Sequence, residues 1–248
     1  MPGAGKEKMK LAVVCCLHGT EPYGLEVVKR LPASIPYFIG NKKALKENKR
    51  FIETDLNRSF PGSPNGNHEE KLAYSLNQKL KDFDYILDIH SSSNECPLFG
   101  IITNLNREKV EFARRLGLRR LVKMAPQIAG GKALIDYVKC GISLEIGPHQ
   151  RKENAEEVIR AIMNLINNVN YSQNLAIYEI FSLIKKEREK ILIKNFEEVK
   201  KGQVIAEDSA GQQIAEEGYI SVLVNERAYS GILCLAARTP TIFINPNY

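Results

Sequence analysis

The chain has 248 residues, 44% of them hydrophobic and 26% charged, with a net charge of +6, enough to bury a sizeable core in one large domain with or without a smaller partner. No apolar run approaches the roughly 20 residues that cross a bilayer, and the polar start Met1-Pro2-Gly3-Ala4-Gly5-Lys6-Glu7-Lys8 lacks the apolar stretch of a signal peptide; we expect a loose tail on a cytoplasmic protein with no membrane partner. The positive charge is spread along the chain without interleaved aromatics, which argues against nucleic acid and suits a small anionic substrate.

Residues 9–16 form a continuous apolar run, as in a strand buried on both faces of a parallel sheet. Pro22 then stands at a first helical position, and Leu25, Val28 and Leu31 carry helical spacing. A second strand is expected at 35–39. Residues 41–67 are polar and interrupted by Pro61-Gly62-Ser63-Pro64-Asn65-Gly66, an irregular excursion of a length that compact domains usually keep for function.

Residues 68–80 read as an amphipathic helix with Leu72, Leu76 and Leu80 on one side, and 85–89 as a strand. A strand at 99–103, a helix at 108–116, a strand at 142–146 and a helix at 154–169 follow. The alternation predicts an α/β fold with a mostly parallel mixed sheet flanked by helices over residues 1–170. After Tyr171 short apolar segments at 176–183, 191–193, 204–206, 219–224 and 232–236 are separated by glycines. They predict a small β-rich C-terminal domain over 171–248.

The five cysteines are odd in number, include the adjacent pair Cys15-Cys16, and contain no Cys-x-x-Cys. They make neither a disulfide framework nor a thiolate metal site, and read as small buried hydrophobes.

The chemistry is expected outside the carboxyl ends of strands. His18-Gly19-Thr20-Glu21 follows the first strand, and a spacing of three across a strand-to-helix turn directs both side chains to one point. His18 alone reads equally as a hydrogen-bonded histidine near a helix start. His90 ends the strand Tyr85-Ile86-Leu87-Asp88-Ile89, where a polar residue suits a site better than a core. Asp88 shares its face and is either an acceptor for a ligand's second ring proton or a solvated strand-end carboxylate.

Glu145 lies between Leu144 and Ile146 in an apolar strand. A buried carboxylate there requires a partner, either an activated water or a basic side chain. Two imidazoles and a carboxylate hold zinc with one position open, and a second carboxylate moves the proton of a water. His68, before Glu69-Glu70, reads as a solvated cap residue, and His149 has no assigned role.

Taken in order, His18-Gly19-Thr20-Glu21, Asp55-Leu56-Asn57-Arg58-Ser59-Phe60-Pro61-Gly62, Asp88-Ile89-His90 and Glu145-Ile146-Gly147-Pro148 resemble the succinylglutamate desuccinylase/aspartoacylase family of zinc-carboxypeptidase-like enzymes. Val224-Asn225-Glu226-Arg227-Ala228-Tyr229 resembles the matching segment of aspartoacylases. The resemblance implies one Zn2+ per chain held by His18, Glu21 and His90, with Glu145 transferring protons and Arg50 polarising the scissile carbonyl. It further implies that Asn57 and Arg58 hold the substrate carboxylate and that the C-terminal domain contributes to the substrate pocket by leaning Tyr229 into it.

Where aspartoacylases carry further arginine and tyrosine residues before the catalytic glutamate, this chain has Lys132 as the second cation, a point charge instead of a fork. The expected activity is hydrolysis of an N-acyl amino acid, N-acetylaspartate-like, to a carboxylate and a free amino acid. A metallocarboxypeptidase-type peptidase and a non-catalytic binder of acidic ligands stay open as alternatives, as does assembly into a homo-oligomer.

Overall fold

Strand β1 (Leu11–Cys15) is apolar and buried along its whole length, as the interior strand of a parallel sheet must be. It pairs in parallel with β2 (Tyr37–Ile39) on one side and β3 (Tyr85–Ser91) on the other. Helix α1 (Tyr23–Lys29) makes the first crossover, since parallel neighbours need a long connection. The computed structural model describes residues 9–124, 128, 130–149, 151, 153–169 and 174–243; the expected N-terminal tail lies outside them.

Two units are distinguished, residues 1–89 with 129–143, and 90–128 with 144–248. Strands β3 and β6 (Cys140–Gly147) are each unbroken and contribute their first residues to one unit and their last to the other.

The first unit has strand order β2-β1-β3-β6. Helix α3 (His68–Leu80) buries Ala73, Leu76 and Leu80 against Ala12, Val14 and Ile86 of the sheet. Leu56 and Phe60, both fully buried in the same cluster, fasten the Asp55-to-Phe60 run; burial of each such side chain contributes about 1.5–3 kcal/mol. The excursion at 41–67 is less irregular than expected. It contains a short helix α2 (Lys42–Lys46), capped by the Asn41 side chain, and a 3₁₀ turn at Leu56–Arg58.

The second unit has strand order β6-β4-β5-β7-β13-β12-β9, with β14 on β7. Here β4 (Cys96–Ile102), β5 (Arg120–Lys123) and β7 (Leu175–Lys185) are parallel. Strands β9 (Glu198–Val199), β12 (Tyr219–Val222), β13 (Ile232–Ala237) and β14 (Thr241–Phe243) add antiparallel pairs. Helices α4 (Arg107–Arg115) and α5 (Glu153–Ile166) belong to this unit. Strands β8 (Lys190–Ile191), β10 (Val204–Asp208) and β11 (Gly211–Ile214) form a separate antiparallel sheet.

The α/β class, the largely parallel sheet with flanking helices and the β-rich C-terminal stretch are as expected. Strand β5 was not foreseen, because Arg120-Leu121-Val122-Lys123 offers only two apolar residues; both are fully buried. Among the described residues no helix is long and apolar enough to cross a membrane.

Candidate metal centre

His18 stands three residues beyond β1, where the chain turns towards α1. Gly19 makes that turn possible, since a Cβ there would overlap the Ala44 backbone. The Gly19 N–H donates to the Arg50 carbonyl at 3.2 Å, tying the turn to the loop that carries Arg50. Glu21 is 3% exposed and His18 4%; His18 Nδ1 lies 2.7 Å from Glu21 Oε1.

Strand β3 is paired with β1 up to Ile89 opposite Cys15, so the following residue, His90, emerges at the same carboxyl end. His18, Glu21 and His90 are all buried, and one nitrogen or oxygen of each lies within 4.8 Å of the others. Two imidazoles and one carboxylate gathered this closely fit a catalytic zinc ion, which takes three protein ligands and keeps one position open. The other ring nitrogen of His18, Nε2, is 3.0 Å from Asp55 Oδ1. If His18 gave Nδ1 to a cation shared with Glu21, its proton would sit on Nε2 and Asp55 would accept it, the usual carboxylate support of a metal-bound histidine.

Asp55, legible only as part of a motif, stands beside His18 where a supporting carboxylate would be needed. Asp88 is fully buried rather than solvated, and it accepts from Ser143 Oγ at 3.2 Å. Asp55 also takes Arg50 Nε at 3.1 Å and Nη2 at 2.9 Å on Oδ2. Burial alone would raise the Asp55 carboxyl, but the hydrogen bond from His18 and the charges of His18, Arg50 and Arg58 outweigh it and hold it well below the usual carboxylate range. Arg50 Nη1 is 3.8 Å from Glu21 Oε1, so one chain of charges runs from Glu21 and His18 through Asp55 to Arg50.

Glu145 is the sixth of the eight residues of β6 and is 8% exposed. Ser92 N–H donates to the Ile146 carbonyl at 3.0 Å and His149 N–H to the Ser92 carbonyl at 3.1 Å. The chain after His90 is thereby registered against the end of β6, with both residues at one end of adjacent strands. His149 Nδ1 is 2.7 Å from Ser91 Oγ. Cys96 lies beside Ser92 Oγ at 3.0 Å, and burial together with the charge of Glu145 pushes its thiol up to about 12. It therefore stays a neutral thiol, and all five cysteines are free and buried.

Of the residues expected to bind substrate, Asn57 accepts the Leu134 N–H on Oδ1 at 2.9 Å, and Arg58 Nη1 donates to the Asn57 carbonyl at 2.8 Å. Lys132 is exposed, and its carbonyl accepts the Phe60 N–H at 3.2 Å. Tyr137 donates its hydroxyl to the Gly131 carbonyl at 3.0 Å. Tyr229 ends a 3₁₀ turn at Arg227–Tyr229 and is 39% exposed. Glu226, just before that turn, accepts the Ser93 N–H on both oxygens, at 3.0 and 2.9 Å, and the Ser93 hydroxyl. Asn94 adds bonds to the Val224 and Asn225 carbonyls at 3.1 and 2.7 Å.

Helix α3 is capped by Asn67 in a capping box with Glu70, so the cap role expected of His68 belongs to its neighbour. A cavity of ≈ 700 Å³ in the second unit is lined by residues such as Cys96, Ile146 and Lys194, and by none of the nine expected site residues.

A family model described as the succinylglutamate desuccinylase/aspartoacylase catalytic domain matches residues 7–170. The chain is similar to a "Probable aspartoacylase" of Acaryochloris marina, 29% identical over 162 residues that make up 56% of this chain and 55% of that protein. The match thus spans about half of that relative's length. Among solved structures it is similar to murine aminoacylase 3, with a TM-score of 0.77 at 20% identity over 98% of this chain and 100% of that one. It is also similar to the succinylglutamate desuccinylase/aspartoacylase of Rhodobacter sphaeroides, with a TM-score of 0.72 at 16% identity over 97% and 87%. At these identities the structural likeness establishes the fold.

Proposed function

We propose that this chain, which belongs to the succinylglutamate desuccinylase/aspartoacylase family, is a zinc-dependent amidohydrolase that cleaves an N-acyl amino acid, N-acetylaspartate-like, to a carboxylate and a free amino acid. The observation that carries this reading is the buried convergence of His18, Glu21 and His90. These three residues would hold one Zn2+. When bound there, zinc supplies Lewis acidity towards the amide carbonyl and acidifies the attacking water.

Glu145 receives the proton of that water on its carboxylate and delivers it to the departing nitrogen, so the amine leaves neutral. Arg50, held on Asp55 by two hydrogen bonds, is a fixed cation for the charge that grows on the carbonyl oxygen, and it needs no rearrangement when that charge appears. Arg58 and Asn57 bind the carboxylate of the amino acid, the fork of Arg58 giving two parallel bonds. Lys132 and Tyr229 complete the substrate contacts.

We also read residues 1–170 as the catalytic domain and 171–248 as a β-rich domain that contributes to the pocket. The family match over 7–170 supports the first of these, and the bonds from Ser93 to Glu226 support a contribution from residues 171–248 beside the chain after His90. Five free cysteines suit a reducing, cytoplasmic setting.

The test is zinc-loaded protein offered acetylated and succinylated amino acids beside dipeptides. Release of free amine from the acyl amino acids is expected, with Glu145→Ala lowering kcat by more than about 10³-fold, since general acid–base catalysis is worth about 10²–10⁴. Preference for dipeptides, binding without turnover, or full activity in Glu145→Ala would overturn the reading.

A further inference from the structure

Glu69 is fully buried at the second position of α3, yet it is not an apolar residue and its side chain does not cap its own helix. Its carboxylate instead accepts four donors from outside it. Asn41 Nδ2 and the Ile52 N–H reach Oε1, each at 2.8 Å. The Glu53 and Thr54 N–H groups reach Oε2 at 3.1 and 3.2 Å. Each oxygen thus has two donors.

The three backbone groups are consecutive, and they lie between Arg50 and Asp55. That stretch has no regular structure, and Phe51, Glu53 and Thr54 are exposed. A surface segment of this kind ordinarily leaves its N–H groups to water and samples many conformations. Here an ionised carboxylate from beneath fixes three successive amides, and charge-assisted bonds of this type are about twice as strong as neutral ones. Burial alone would raise the Glu69 carboxyl, but its backbone and side-chain donors outweigh it and hold it below its usual range.

We propose that Glu69 is a positioning residue for the deacylation read above: by pinning Ile52, Glu53 and Thr54 it sets the Arg50–Asp55 pair and, through Asp55, the ring of His18. The inference rests on that functional reading, because Arg50 and His18 have their roles only there. The segment is also attached at the surface, where Glu53 accepts the His68 N–H at 3.1 Å and Thr54 Oγ1 lies 3.4 Å from Asn67 Oδ1. Loss of the carboxylate therefore displaces the segment without releasing it. A glutamine cannot take over, since all four partners are donors and one end of an amide accepts nothing.

The experiment is a mutant cycle on the zinc-loaded protein. Glu69→Gln should lower kcat by about 10–100-fold, the scale of a roughly 1 Å misplacement of a catalytic group, with KM changed less than about threefold. In an Arg50→Ala, Asp55→Asn background the same substitution should remove less than about threefold, because its effects on Arg50 and, through Asp55, on His18 are both already lost. Glu69→Asp keeps the charge on a shorter arm and should recover part of kcat. Losses that multiply independently, or a KM effect as large as the kcat effect, would overturn the proposal.

Amide hydrogen exchange supplies a readout apart from activity. Ile52, Glu53 and Thr54 should be protected in the wild type and exchange at least about tenfold faster in Glu69→Gln. Fast exchange in the wild type would overturn the anchoring even if Glu69→Gln failed to fold. A wild-type protein that hydrolyses no acyl amino acid defeats the functional reading, whereas protected amides alongside multiplicative kinetic losses defeat only the role of Glu69.

Discussion

His90 and Arg50, which the proposed deacylation would use together, are placed by different means. His90 follows a strand paired with its neighbour through five successive registered positions, so its place is set by backbone hydrogen bonds and by apolar side chains buried on both faces. Arg50 lies in a stretch without strand or helix, placed by Asp55, by the Gly19 N–H on its carbonyl and by the carboxylate of Glu69 beyond it. The sheet positions His90, the proposed ligand, with interactions that do not depend on the identity of any one side chain. The loop depends on a few charged groups, each of which is a single point of failure.

That contrast is sharpest at the ligands themselves. Replacing His90 with alanine removes a donor from a strand whose geometry survives, so circular dichroism and solubility should stay as they are while zinc binding and turnover are lost. Equilibrium dialysis with zinc should show the affinity falling by more than the about 100-fold typical of losing a supporting group. A variant that still holds one zinc per chain at wild-type affinity would show that His90 is not a ligand.

Asp55→Asn probes the next step outwards. The amide keeps the size of the side chain but gives up the charge that faces both His18 and Arg50, so zinc affinity should fall by about 10–100-fold. Its kcat should fall as well, because Arg50 loses its hold. An affinity unchanged from wild type would separate the carboxylate from the metal and leave it as a partner of Arg50 alone.

The loop also predicts an acid signature. Glu69 has its folded pKa depressed, so the stability it contributes is present above the unfolded carboxylate value of about 4.3 and is lost as pH falls through the folded value. Melting temperature should drop with acidification below that point, and Glu69→Gln, already lacking the contribution at neutral pH, should show a shallower slope. Parallel slopes for the two proteins would refute the linkage.

The same division explains what the sequence disclosed. His18 and Glu21 just beyond β1, and His90 and Glu145 near the ends of β3 and β6, could be picked out because a polar residue there stands out against apolar neighbours. Helix α3 was legible to the residue from its leucine spacing. Asp55 was visible as a motif, but its two partners are separated from it by 37 and 5 residues, and no local pattern encodes a contact that closes only in three dimensions. Glu69 left a fainter mark. It falls on the apolar stripe with Ala73, Leu76 and Leu80, where a carboxylate needs partners, and the adjacent Glu70 masked it as an ordinary acidic first turn.

Glu226 offers the mildest test, because it fixes a segment in the same way from a less protected place. Its carboxylate binds the Ser93 N–H and hydroxyl and holds the chain three residues beyond His90, much as Glu69 holds the chain beyond Arg50. Unlike Glu69 it is only partly buried, so water replaces lost bonds that nothing replaces around Glu69, and surface interactions of this kind contribute little. Asn94 keeps two further bonds to the Val224 and Asn225 carbonyls. Glu226→Gln should therefore lower kcat/KM by less than about tenfold, within the about 1.4 kcal/mol that such a factor represents, and leave zinc affinity as it is. A loss as large as that of Glu69→Gln would mean that exposure does not govern how much a pinning carboxylate matters, and that the segment after His90 is as dependent on one side chain as the loop before Asp55.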